Sequence, residues 1–175
     1  MSRLLEQLQQ GDAQGFASRV NLAELCREVA AEWSERGAAP TFEDHDTELY
    51  LRASRERLVS VLGHIVRNAQ DAVGRDGNVV VRLSESDGNA IIEVADNGPG
   101  MEEEFVRNRL FRPFESTKGS KGMGIGAYQA REFARGLGGD AEVYSIIGEG
   151  TRFRLVLPLD ADETALSSQQ SGAMS

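Results

Sequence analysis

Two apolar runs, residues 78–83 and 90–95, are each about one strand long, and the polar segment between them bends at Asp87-Gly88. That pattern reads as an antiparallel hairpin, and a hairpin in water needs its apolar face covered. The cover comes from amphipathic helices on either side. Asn21 reads as an N-cap with Glu24 at the third helical position, and Leu22, Leu25, Cys26, Val29, Ala30 and Trp33 follow at helical spacing until Gly37. Ser54 caps a longer helix that runs to Val73 and stops at Gly74, with Leu58, Val61, Leu62, Ile65, Val66, Ala69, Ala72 and Val73 on its apolar face. A third helix spans about 126–137, and residues 141–147 and 151–157 form a closing hairpin around Gly148-Glu-Gly150. Residues 40–46 and 48–53 resemble two short strands joined by Asp46-Thr47. Helices interleaved with antiparallel hairpins predict an α+β fold: a two-layer α/β sandwich whose mixed, largely antiparallel sheet carries about three helices on one face.

A chain of 175 residues, 40% hydrophobic, suffices for one domain with a real core. We assign it to 20–158, with 1–19 as a linker and the end of an upstream helix, and 159–175 as a disordered tail. The formal charge of −9, from 28 acidic against 19 basic residues, excludes non-specific binding to nucleic acid or to an anionic membrane. It leaves room for a phosphorylated ligand held locally by backbone N–H groups and a metal. The single cysteine, Cys26, excludes an intramolecular disulfide and fits a cytoplasmic setting. No stretch approaches the roughly 18 consecutive apolar residues of a membrane span.

Four stretches carry chemistry. Asp96-Asn-Gly-Pro-Gly-Met101 puts one carboxylate at a strand end and passes flexible backbone close by, which suits an amine donor such as that of adenine; Asp-Asn-Gly is also an ordinary turn signal. His64, Asn68 and Asp71 lie within roughly 60° of one another and border the apolar stripe of the long helix. There an amide oxygen could face Mg2+ and an imidazole could move a proton, or the histidine could simply be a boundary residue. Leu110-Phe-Arg-Pro-Phe-Glu-Ser-Thr-Lys118 pairs aromatics around Pro113, to anchor a mobile loop or to plug the core beneath it, and Lys118 could reach a phosphate. Gly122, Gly124 and Gly126 lead into a helix and read either as an anion cradle or as a flexible loop. The P-loop ending is missing, and so is the strand that precedes a Rossmann glycine loop.

Taken in order, with Gly148-Glu-Gly-Thr151 closing the series, these stretches resemble the catalytic, ATP-binding domain of sensor histidine kinases, in the superfamily shared with DNA gyrase and MutL. The resemblance covers about 20–158 and implies that superfamily's ATPase fold, with ATP in a cleft under a lid at about 101–122. It implies Asn68 as the protein ligand to Mg2+, Asp96 as acceptor of the adenine amine, and Gly98 and Gly100 as points of close approach to the base. By the same resemblance Gly122, Gly124 and Gly126 line the phosphates, Thr151 belongs to the adenine-side wall, and His64 is a general base. Asp71 and Lys118 are assigned to bound water and phosphate. The family transfers the γ-phosphoryl group of ATP to a histidine in a separate dimerisation domain, then to a response regulator. Neither His45 nor His64 has the context of that acceptor, so it lies outside these residues. The resemblance therefore implies a catalytic fragment that dimerises only through upstream helices, or a protein working on an acceptor in trans. An anti-sigma-type serine kinase usually lacks the Leu110–Phe114 aromatics, and a gyrase-like clamp needs a transducer domain after the last hairpin.

Overall fold

The computed structural model of the chain describes residues 17–43, 48–112 and 123–159. Its elements, in chain order, are β1 (Ala17–Asn21), α1 (Leu22–Glu32), β2 (Thr41–Glu43), β3 (Tyr50–Ser54), α2 (Arg55–Val73), β4 (Val79–Ser86), β5 (Asn89–Asp96), α3 (Glu103–Asn108), α4 (Met123–Gly136), β6 (Asp140–Ile146) and β7 (Gly150–Pro158). The main sheet has the order β2-β4-β5-β7-β6. β2 runs parallel to β4 and every other pair is antiparallel, so the sheet is mixed as expected.

The central hairpin forms as its pattern demands. Ser86 pairs with Asn89, which leaves Asp87 and Gly88 as a two-residue loop. Both carry positive φ, 52° and 78°, the mirror-image turn whose twist matches that of the strands. Alternation then sends Val79, Val81 and Leu83 of β4, Ala90, Ile92 and Val94 of β5, and Leu155 and Leu157 of β7 to one face. There they join Leu25 and Val29 of α1, Leu58, Leu62 and Val66 of α2, and Ala130, Phe133 and Ala134 of α4 in a single core. Each fully buried leucine contributes roughly 2 kcal/mol.

Caps set the helix starts. Asn21 Oδ1 accepts from the Glu24 N–H at 3.1 Å and Ser54 Oγ from that of Arg57 at 3.4 Å, while Gly74, at φ 69°, ends α2. α1 ends at Glu32, short of Gly37, because Ser34 Oγ donates to the Ala31 carbonyl at 2.7 Å and turns the chain. Gln70 fastens that turn to α2, since its buried amide donates to the carbonyls of Trp33 at 2.8 Å and Ala38 at 2.9 Å.

Three features depart from the sequence expectation. Residues 17–19, assigned to a linker, belong to β1, which pairs with β3 in a separate two-stranded sheet. The strands expected at 40–46 and 48–53 sit in different sheets, β2 against β4 and β3 against β1, and residues 44–47 with His45 lie outside the described residues. A fourth, short helix, α3, occupies the start of the expected lid. On the outer face of the sheet Glu93, only 7% exposed, accepts from Arg154 at 2.6 Å and Arg82 at 3.1 Å. Burial pushes its carboxyl up, but the two guanidinium hydrogen bonds outweigh that and hold it below its ordinary range.

Candidate nucleotide site

Register builds the site. Val79, Asp96, Thr151 and Ser145 are successive cross-strand partners on β4, β5, β7 and β6, which puts a carboxylate and two hydroxyls in one row at the sheet's end. The Asp96 carboxylate accepts the Gly98 N–H at 2.9 Å and also the Thr151 N–H. Burial pushes its carboxyl up, and those two N–H groups pull against the shift without cancelling it. Ser145 Oγ accepts the Met101 N–H at 2.7 Å and lies 2.8 Å from Thr151 Oγ1.

The glycines here serve the protein first. A Cβ at Gly100, where φ is 76°, would lie 2.2 Å from the Ile146 carbonyl oxygen, and one at Gly150, where φ is 128°, would lie 2.0 Å from that of Asp96. The Gly148 N–H donates to the Pro99 carbonyl at 2.8 Å. The Asp-x-Gly-x-Gly stretch and the Gly-x-Gly-Thr turn therefore interlock, and the close approach Gly100 permits is to the β6–β7 turn. Gly98 is pressed between Asp96 and the end of α2, its Cβ position 3.0 Å from Asp96 Oδ1 and 3.1 Å from the Ala72 carbonyl.

Opposite this row, α2 and α4 meet. A Cβ at Gly126 would lie 3.2 Å from Asn68 Nδ2 and 3.8 Å from His64 Cβ, so the missing side chain sets how closely the helices pass. Half-buried Asn68 borders the same cavity as Asp96, Thr151, Met101, Leu110 and Phe153. His64 stands exposed one turn away, and Asp71 is exposed and does not line the cavity. Because α4 begins at Met123, Gly124 and Gly126 lie within its first turn and not in a loop before it; Lys118 and Gly122 lie outside the described residues. Residues 101–112 differ from the irregular lid expected of them, since Phe105, Leu110 and Ala127 form a small second core with Met101, Phe111 and Phe153. Arg131 stacks on Phe111 at 4.7 Å while donating to Asp140 at 3.1 Å.

A half-buried carboxylate beside a threonine, an amide on a facing helix and a glycine-bearing helix start make up the site. The model of the histidine kinase-, DNA gyrase B-, and HSP90-like ATPase matches residues 53–161. The chain belongs to this ATPase family. Sensor histidine kinase ZraS of Klebsiella oxytoca is 31% identical over 136 residues, 77% of this chain and 29% of that protein. The chain thus spans less than a third of such relatives. The solved catalytic domain of histidine kinase ThkA is 28% identical, with a TM-score of 0.72 over 82% of this chain and 95% of that one. The structure of histidine kinase ThkA with response regulator protein TrrA is 25% identical, with a TM-score of 0.69 over 82% of this chain and 42% of that one.

For an ATPase of this family the cavity between Asp96 and Asn68 is narrow. Its volume is about 20 Å3, far below the roughly 300 Å3 at which small-molecule pockets begin. Leu110, 2% exposed, and Met101 are among the residues that line it. The wider groove of about 660 Å3 behind Asp96 lies on the outer face of the sheet, among Arg82, Arg152, Arg154 and Tyr144, away from Asn68 and α4. Among the described residues no cluster of three or more His, Cys, Asp or Glu could hold a metal ion. The single amide of Asn68 suits a cation that takes its other oxygens from phosphate and water, as Mg2+ does. Sequence reasoning missed Phe153, which strand register with Val94 brings to the cavity, and Ser145, which register places beside Thr151. No helix among the described residues is long and apolar enough to cross a membrane.

Proposed function

We propose that this domain transfers the γ-phosphoryl group of ATP to a histidine on a dimerisation domain outside this chain, as the catalytic part of a cytoplasmic sensor histidine kinase, and that a response regulator receives the phosphoryl group next. The observation that carries the reading is the pairing, across one cavity, of the half-desolvated Asp96 carboxylate with Asn68 and the first turn of α4. Asp96 takes the adenine amine and Thr151 lines the wall beside it. Gly124 and Gly126, at the positive end of α4, face the phosphates, with Gly122 and Lys118 from the preceding segment. Asn68 would hold Mg2+, which when bound neutralises charge on the phosphates, and Asp71 orders water near it. His64 accepts a hydrogen bond from one imidazole nitrogen of the incoming histidine. The other nitrogen then bonds to the γ-phosphorus as the bridging P–O bond breaks and ADP leaves. Gly98 and Gly100 act here chiefly by holding Asp96 in place.

The family membership and the likeness to the ThkA catalytic domain support this reading, and the ThkA complex supports the choice of partner. Its test is transfer of radiolabelled phosphate from ATP to a supplied histidine acceptor domain, with and without Mg2+. Wild type is expected to label the acceptor and Asn68→Ala to abolish labelling. Equal rates from the two proteins would refute the metal role of Asn68.

A further inference from the structure

Phe111 follows the cavity-lining Leu110 and packs behind the cavity wall. Its ring centroid lies 6.2 Å from that of Phe153, another residue of that wall, with the planes 58° apart, a tilted pairing that aromatic rings favour. Over the same ring, 4.7 Å from its centroid, sits the Arg131 guanidinium. Ala127, one turn before Arg131 on α4, lies in the same small core as Leu110 and lines the cavity. One stripe of α4 therefore meets two successive residues, Ala127 beside Leu110 and Arg131 over Phe111. Stacking alone would not fix so long a side chain. Arg131 Nε donates to Asp140 Oδ1 at 3.1 Å, and that oxygen also accepts the Ala141 N–H at 2.9 Å and the Arg135 Nε–H at 3.3 Å. Burial pushes the Asp140 carboxyl up, but the Ala141 N–H and the two guanidinium groups outweigh that and hold it below its ordinary range. The carboxylate therefore stays ionised at neutral pH and pins the guanidinium over the ring.

A cavity of about 20 Å3 is too small for a base, so its wall has to move before one enters, and Leu110 is the part of the wall next to the ring that a stacked cation holds. We infer that Arg131 is a positioning residue for nucleotide entry: anchored to Asp140, it holds Phe111 against Phe153 and thereby keeps Leu110 in the narrow form of the cavity. Removing the hold raises the fraction of molecules whose cavity admits a base, and with it the rate of association. The inference rests on reading the cavity as the nucleotide pocket.

The test is stopped-flow association of the whole chain with a fluorescent ATP analogue, as wild type, Arg131→Met, Arg131→Lys, Phe111→Leu and the double variant of Arg131→Met with Phe111→Leu, alongside thermal melts. Arg131→Met keeps the stem without the charge and should associate about three- to fivefold faster, with dissociation nearly unchanged. Arg131→Lys keeps a cation over the ring and should stay within about twofold of wild type. Phe111→Leu should accelerate association at least as much as Arg131→Met does, and the double variant no further than Phe111→Leu, because the two side chains act as one pair. A merely structural role for Arg131 would lower the melting temperature and leave association unchanged or slower, and that result overturns the inference. A lysine variant as fast as the methionine one, or accelerations that multiply in the double variant, overturns it while leaving the pocket standing. A wild type that does not bind the analogue overturns it together with the pocket reading beneath it.

Discussion

At the scale of single residues, the adenine-accepting role proposed for Asp96 is testable through its environment. Asp96→Asn should reduce affinity for an ATP analogue by at least about a hundredfold in calorimetry, because the amide turns a donor toward the adenine amine. In the wild type burial holds the Asp96 carboxyl above its ordinary range, so the carboxylate is the form that acidification removes first. Affinity should therefore fall with decreasing pH, starting above the usual aspartate range, and this fall should be absent in Asp96→Asn. The glycines divide by what surrounds them. Gly100→Ala drives a methyl group against the Ile146 carbonyl at a positive φ and should cost at least about 2 kcal/mol in urea unfolding. Gly88→Ala, at a positive φ in open space, should cost about 1 kcal/mol. That Asp96 ends a strand and Thr151 follows a turn was legible because Asp-Asn-Gly and Gly-Glu-Gly are turn signals, and the place of Asn68 at the edge of the apolar stripe was legible from helical spacing. The tie from Ser145 was not, since cross-strand register between β6 and β7 leaves no mark of its own in the amino-acid order.

At the scale of elements, the packing at residues 101–112 bears on the proposed binding. Leu110 lines the cavity proposed for the base, so Leu110→Ala should accelerate association of a fluorescent ATP analogue in stopped flow while lowering unfolding stability by about 2 kcal/mol. Slower association, or none, would place the barrier elsewhere. The helices were legible to within a few residues wherever a cap marks the start, as Asn21 and Ser54 do. The short strand β1 was not, because only one of its five residues is buried and the alternation that signals a strand is lost. Nor was the second core under α3, since Phe105 and Leu110 are spaced for neither a helix stripe nor a strand and are gathered by contacts from α4 and β7.

At the scale of the whole molecule, the sheet has one dry face and one wet one, and a buried charge braces the wet one. Glu93 sits below its ordinary range in the fold, so its ion pairs with Arg82 and Arg154 stabilise above the unfolded-state value, and that contribution is lost as pH falls through the folded-state value. Glu93→Gln should cost about 1–2 kcal/mol at neutral pH, with a smaller deficit in acid, as read from denaturant midpoints across pH. On the dry side, burial pushes the Cys26 thiol up to about 12 and leaves it no exposed surface. Its reaction with a thiol reagent should therefore follow the fraction of unfolded chain. The strand order has a further effect on how the molecule comes into being. β7, the last of the described strands, is threaded between β5 and β6, and it supplies Thr151. At a synthesis rate of about 5–20 residues per second, a growing chain carries Asp96 for several seconds before that strand exists. During that interval the pocket proposed for the base is incomplete, so nucleotide is expected to stabilise only chains that have completed β7.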